Sequence, residues 1–159
     1  MSVVIEEEPE VTRRSRFEKL CGGIAISAAS SATSGTLGCI VKHDKSGKLA
    51  ILTNHHVAMS NESDVKSNIK TLLMREKYRH ENNKGTIPLD VLKRIEKGEL
   101  PIFQPPYMGG MNAQARVVAF VTDSWDTGDA AICELLDDTE WTKDILGEGP
   151  HKQIGRAHV

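Results

Sequence analysis

The chain has 159 residues, of which 39% are apolar, 26% charged and 4% aromatic. That is one domain of ordinary globular composition, which excludes a collagen-like or wholly disordered chain. The formal charge of −2 argues against a nucleic-acid groove or an electrostatic membrane anchor, and no apolar run approaches the roughly 20 residues of a membrane span.

Residues 1–16 read as a flexible N-terminal arm, acidic at Glu6-Glu-Glu-Pro-Glu10 and basic at Arg13-Arg-Ser-Arg16. A secretory signal would be basic and then apolar, so a cytoplasmic location is expected. Structure is expected to begin near Phe17. Residues 23–27 alternate apolar and small side chains, as a strand does. A small-residue loop follows, then a strand over 36–41. Asp44-Lys-Ser-Gly47 is a turn, and 49–53 is a third strand, so 36–53 predicts a β-hairpin.

The pattern then changes. Val65, Ile69, Leu72 and Leu73 fall on one helical face, with Asn61 or Ser63 to cap its start. A second short helix is predicted over 88–97, with Pro88 in its first turn and Gly98 as its stop. This helical pair, 59–100, interrupts a β-rich chain and reads as an insertion. Its basic face (Lys66, Lys70, Arg75, Lys77, Arg79) is either a solvated surface or a docking site. Residues 101–110, rich in Pro and Gly, predict a surface loop. Strands are predicted over 115–121 and 129–135 with a turn over 123–128. Residues 136–152 are polar and suggest one helical turn.

Of the three cysteines, Cys39 and Cys133 lie in apolar, strand-like runs and read as buried free thiols. The odd count is no disulfide framework. No C-x-x-C or H-x-x-x-H spacing supports zinc held by two of them with His55 or His43. The tail Ile154-Gly-Arg-Ala-His-Val159 can be encoded by ATC GGA AGA GCA CAC GTC. Preceded by AG, which a CAG codon for Gln153 supplies, that is the start of a common sequencing-adapter oligonucleotide. Native sequence is therefore expected to stop near Lys152, with 153–159 an adapter artefact to be set aside.

The chemistry concentrates where a strand ends in Thr53-Asn-His-His-Val57. Imidazole transfers protons near neutrality, and a strand end holds such a group rigidly. Asp129-Ala-Ala-Ile132 opens a later strand with a carboxylate able to orient an imidazole. Asp123 and Asp126 are nearby competitors that read as turn residues.

Together these marks resemble the trypsin-like (chymotrypsin-fold) serine peptidases, closest to the bacterial HtrA-like branch. Gly35-Thr-Leu-Gly-Cys-Ile-Val41 precedes the histidine, and Thr53-Asn-His-His-Val57 matches the family's Thr-Asn-Asn-His-Val. The resemblance implies that His56 is the catalytic base, that His55 is not, and that Asp129 is the triad carboxylate. It implies an all-β fold with a helical insertion. Residues 17–58 and 101–137 would form the first six-stranded antiparallel β-barrel, 138–152 would start the inter-barrel connection, and the second barrel would be missing. The Gln104-Pro-Pro segment resembles a Gln-Pro-Gly segment of some relatives and reads as structural. Val57 stands where many secreted members place a clamping Cys.

The family's Gly-x-Ser-Gly, with its oxyanion hole, does not occur after Asp129. Ser34-Gly35 and Ser46-Gly47 read as a loop and a turn, so no nucleophile is named. The expectation is a fragment of a serine endopeptidase, a hydrolase inactive alone, acting on peptide or protein substrates with no cofactor, no metal, no nucleic acid and no membrane. The rivals are a catalytically dead binding module, a Cys-nucleophile protease on the same fold, and a non-enzymatic β-domain in which His56 and Asp129 lie far apart.

Overall fold

The structure, a computed structural model, describes residues 12–146. The first eleven residues of the expected arm, the end of the expected inter-barrel connection and the tail 153–159 lie outside the described residues. The fold is mostly strands with a few helices. Its elements are β1 (Lys19–Gly22), β2 (Ala25–Ile26), β3 (Gly35–Thr36), β4 (Cys39–Lys42), β5 (Leu49–Thr53), α1 (His55–Ala58), α2 (Glu62–Glu81) and α3 (Leu89–Glu96). They continue with β6 (Pro101–Gln104), a 3-10 turn (Met108–Gly110), β7 (Arg116–Trp125), β8 (Ala130–Leu135) and β9 (Glu140–Ile145).

The central sheet is antiparallel throughout, with strand order β4-β5-β8-β7-β6. β4 and β5 form the predicted hairpin, closed by His43 N–H to the Lys48 carbonyl at 2.8 Å, with Gly47 at φ 71°. Two small pairs flank the sheet: β2 with β3 antiparallel, and β1 with β9 parallel. Among the described residues no closed barrel is formed.

Two apolar clusters hold the molecule together. Leu20, Ile24, Ile26, Leu37, Ile51, Ile102 and Val118 lie in the first. The second joins Phe103 and Phe120 to Val91, Leu92 and Ile95 of α3 and Leu72 of α2. Ile102 and Phe103 therefore feed different clusters, the alternation that a strand covered on both sides requires. Each fully buried side chain of this kind contributes roughly 2 kcal/mol, so the helical pair is anchored to the sheet.

Both helices follow the predicted signals. The Asn61 side chain accepts from Asp64 N–H at the start of α2. Pro88 precedes α3, and Gly98, at φ 98°, ends it. The basic face is partly engaged: Lys66 pairs with Glu62 at 2.8 Å, and Arg79 approaches the buried Glu76 at 3.5 Å. Among the described residues no helix is long and apolar enough to cross a membrane.

Several expectations are corrected. The predicted strand 36–41 is two strands, because Leu37 turns into the core and Gly38 passes so close to β5 that a Cβ there would sit 2.9 Å from the Leu52 carbonyl oxygen. Cys39 is consequently exposed, while Cys133 is buried. The predicted loop 101–110 begins with the fully buried β6. A proline is tolerated there because it is the first residue of a sheet-edge strand, where no ladder donor is needed.

The predicted turn 123–128 is shorter, because β7 runs on to Trp125 across a bulge between Val121 and Asp123. The helical turn suggested within 136–152 is the strand β9, which pairs with β1 and packs Trp141 on the first cluster. Residues 12–16, read as arm, are tied down. Ala25 N–H donates to the Arg13 carbonyl, and the fully buried Gln104 donates from Nε2 to the Ser15 carbonyl at 2.6 Å.

Candidate active site

Two close approaches build the site. β5 ends at Thr53, whose hydroxyl donates to the Thr36 carbonyl at 2.8 Å and fixes β3 beside it. The chain then turns at Asn54 into the short helix α1. The expected polar turn at His55-His56 is thus one helical turn, stabilised because Val57 and Ala58 are buried. Gly35 of β3 lies directly against Val57, and a Cβ at Gly35 would sit 2.2 Å from Val57 Cγ2. Only glycine lets β3 and α1 pack this tightly. The Gly-Thr of one motif and the Thr-Asn-x-His-Val of the other are thereby two sides of one contact.

The carboxylate arrives from the β7–β8 turn. Asp129 N–H donates to the Asp126 carbonyl at 3.1 Å, and Gly128 and Asp129 both have positive φ, 89° and 49°. Aspartate tolerates the left-handed region better than most residues. This bend aims the side chain back at α1. Asp129 Oδ1 accepts from the His56 backbone N–H at 2.9 Å, and Oδ2 lies 2.7 Å from His56 Nδ1. The His56 backbone N–H, foremost, and its ring hold the Asp129 carboxyl below the usual aspartate range.

The reading that placed these two side chains far apart is therefore wrong about their geometry. With Nδ1–H directed at the carboxylate, neutral His56 presents the lone pair of Nε2. Nε2 makes no hydrogen bond among the described residues, and the His56 side chain is 65% exposed.

The other candidates have separate partners. His55 Nε2 lies 3.9 Å from Asp126, and its Nδ1 is buried without a hydrogen-bond partner among the described residues. Asp123, read as a turn residue, belongs to β7 and bonds His43 Nε2 at 2.7 Å. Ser34 and Ser46 lie in the loop before β3 and in the β4–β5 turn, and no serine or cysteine bonds the His56 ring among the described residues. Burial pushes the Cys133 thiol up to about 12, which leaves it inert near neutrality. A groove of about 890 Å³, lined by Arg94, Arg116 and Asp137 among others, includes neither His56 nor Asp129.

The sequence reading missed a second histidine site. His43 is buried, with Nδ1 2.9 Å from Glu134 Oε2 and Nε2 bonded to Asp123; the Ser46 hydroxyl donates to Glu134 at 2.5 Å. The Asp123 bond, foremost, raises the His43 pKa against the desolvation that lowers it, and Glu134 adds to the rise. One signal was present: Glu134 interrupts the apolar run of β8, and a charge inside a buried strand needs a partner.

No protein-family model and no curated protein matches the chain.

Proposed function

We propose that this chain carries the general base and orienting carboxylate of a trypsin-like serine endopeptidase. The observation that carries this reading is the two-point grip of Asp129 on His56, which fixes the imidazole tautomer and leaves Nε2 free among the described residues. In the reaction, Nε2 takes the proton of a serine hydroxyl as its oxygen attacks the peptide carbonyl. Asp129 stabilises the imidazolium, which then gives its proton to the departing amine. Water hydrolyses the acyl-enzyme by the same route. The serine, its oxyanion hole and the specificity pocket are supplied by a second barrel of the same protein. No metal or organic cofactor takes part, and the substrate is a peptide or protein.

The first barrel of such a fold has six strands. Supporting that reading, Ser27 and Phe103 exchange backbone hydrogen bonds of 3.0 and 2.7 Å, which link the chain after β2 to the β6 edge of the sheet. The exposed face around the dyad also supports it. Trp125, paired with Ala130, and Met59, which follows α1, are 48% and 38% exposed. Exposed apolar residues this near to His56 and Asp129 along the chain suit a face that substrate and a second lobe cover.

The test is to sequence the genomic locus past the codon for Lys152. The proposal expects a frame that continues into Gly-x-Ser-Gly. A cysteine at that serine position makes the protein a cysteine-nucleophile protease, and any other residue makes it a binding module. Genomic DNA that encodes Ile154–Val159 and then stops overturns the peptidase reading.

A further inference from the structure

Asn54 stands at the N-cap position of α1, where an asparagine side chain ordinarily accepts from a backbone N–H of the first turn. It makes no such bond. Its Nδ2 instead donates across the site to the Asp129 carbonyl at 3.1 Å. The N–H that a cap would serve in the first turn, that of His56, is taken by Asp129 Oδ1 at 2.9 Å. The two residues have exchanged roles: the Asn54 side chain holds the Asp129 backbone, and the Asp129 side chain caps the helix that Asn54 begins.

The consequence concerns direction. Asp129 is in the left-handed region at φ 49°, a conformation that aspartate tolerates better than most residues and that its surroundings select here. Its N–H is tied to the Asp126 carbonyl, and its C=O is tied to Asn54. Those two bonds fix the peptide groups on either side of the Cα and hence the direction of the carboxylate. We propose that Asn54 is a positioning residue for the base: by holding the Asp129 carbonyl it keeps the carboxylate on His56 Nδ1 and so keeps Nε2 unprotonated.

Asn54 is exposed and belongs to neither apolar cluster, so its effect runs through this hydrogen bond rather than through core packing. The inference deepens the peptidase reading and, for its catalytic meaning, rests on it. The geometric part stands without it.

The experiment uses the chain labelled with ¹⁵N-histidine. Exchange of the His56 Nδ1 proton and the two ring ¹⁵N shifts are compared among wild type, Asn54→Ser and Asn54→Ala. Serine is too short to reach the Asp129 carbonyl, so Asn54→Ser loses the bond while keeping a polar residue at the N-cap position, and Asn54→Ala loses it with no side chain able to compete for the His56 N–H. Both variants are expected to exchange that proton about fivefold faster, as befits one ordinary hydrogen bond, and to shift the ring toward the Nε2–H tautomer. The His43 signals should stay unchanged. Unchanged His56 signals in both variants overturn the proposal. Loss of the His43 signals in both also overturns it, because Asn54 then holds the fold rather than the dyad. In the longer gene product, Asn54→Ser is expected to lower kcat with KM unchanged. A variant that shifts the His56 signals in a gene product with no peptidase activity leaves the positioning role intact and removes the peptidase reading.

Discussion

His43 and His56 both sit 2.7 Å from an aspartate, yet their surroundings are opposite. His43 is buried, and both ring nitrogens are engaged by carboxylates from β7 and β8. Such a ring gains by being charged and has no nitrogen left to exchange a proton with a substrate. It ties the β4–β5 turn to β7 and β8. His56 is exposed and, among the described residues, meets one carboxylate and keeps a nitrogen free. The partner is the same kind of group in each case. What separates a structural imidazolium from a candidate base is the number of engaged nitrogens and the access to the one left over.

The largest contrast should be catalytic. In a gene product that carries the proposed serine, Asp129→Asn is expected to lower kcat by about 10⁴, as loss of the correct tautomer does in triads of this kind. His43→Asn should leave kcat unchanged while lowering the urea midpoint. Equal losses from the two variants would erase the distinction.

Gly35→Val tests the contact that seats α1. The new side chain must displace Val57, and overpacking of this kind costs about 1–3 kcal/mol, read as a lower urea midpoint together with shifted His56 signals and unchanged His43 signals.

The pH dependence separates the two sites further. The raised pKa of His43 means that its contribution to stability is complete below about pH 6.5 and is lost as pH rises through the folded-state value. Glu134 has the opposite sign. Against the desolvation of its site, the Ser46 hydroxyl and the His43 ring hold its carboxyl down, so its contribution is present above about pH 4.3 and lost as pH falls through the folded value. The urea midpoint of the wild type minus that of His43→Asn should therefore be greatest between those limits and shrink above them. A difference that is flat from about pH 5 to about pH 9 would contradict the charged lock.

The smallest expected effect is at the surface pair Glu62–Lys66, where both side chains are largely exposed. Lys66→Ala should leave the midpoint and the His56 signals unmoved.

Much of the His56 site was legible because its signals are local. Gly35-Thr36, Thr53-Asn54 and Val57 each sit beside the strand end they shape, and apolar spacing marks β5 and β8. What was missed depends on pairing across the chain. β1 is short and β9 has little apolar alternation, so the parallel ladder between them defines them. β6 is hidden by prolines that mark a loop locally but are acceptable at the first position of an edge strand. The His43 lock draws its residues from the β4–β5 turn, β7 and β8, and no spacing in the sequence announces that meeting. The bulge between Val121 and Asp123, which a pattern of alternation does not reveal, precedes the aspartate that His43 receives.

The most direct test of the central claim is covalent. The product of the full genomic reading frame is treated with a fluorophosphonate probe, and wild type, His56→Ala and His43→Asn are compared by mass spectrometry. The prediction is one adduct on a serine in the wild type and in His43→Asn, and none in His56→Ala. No adduct in the wild type, or an adduct that survives His56→Ala, would contradict the assignment of His56 as the base.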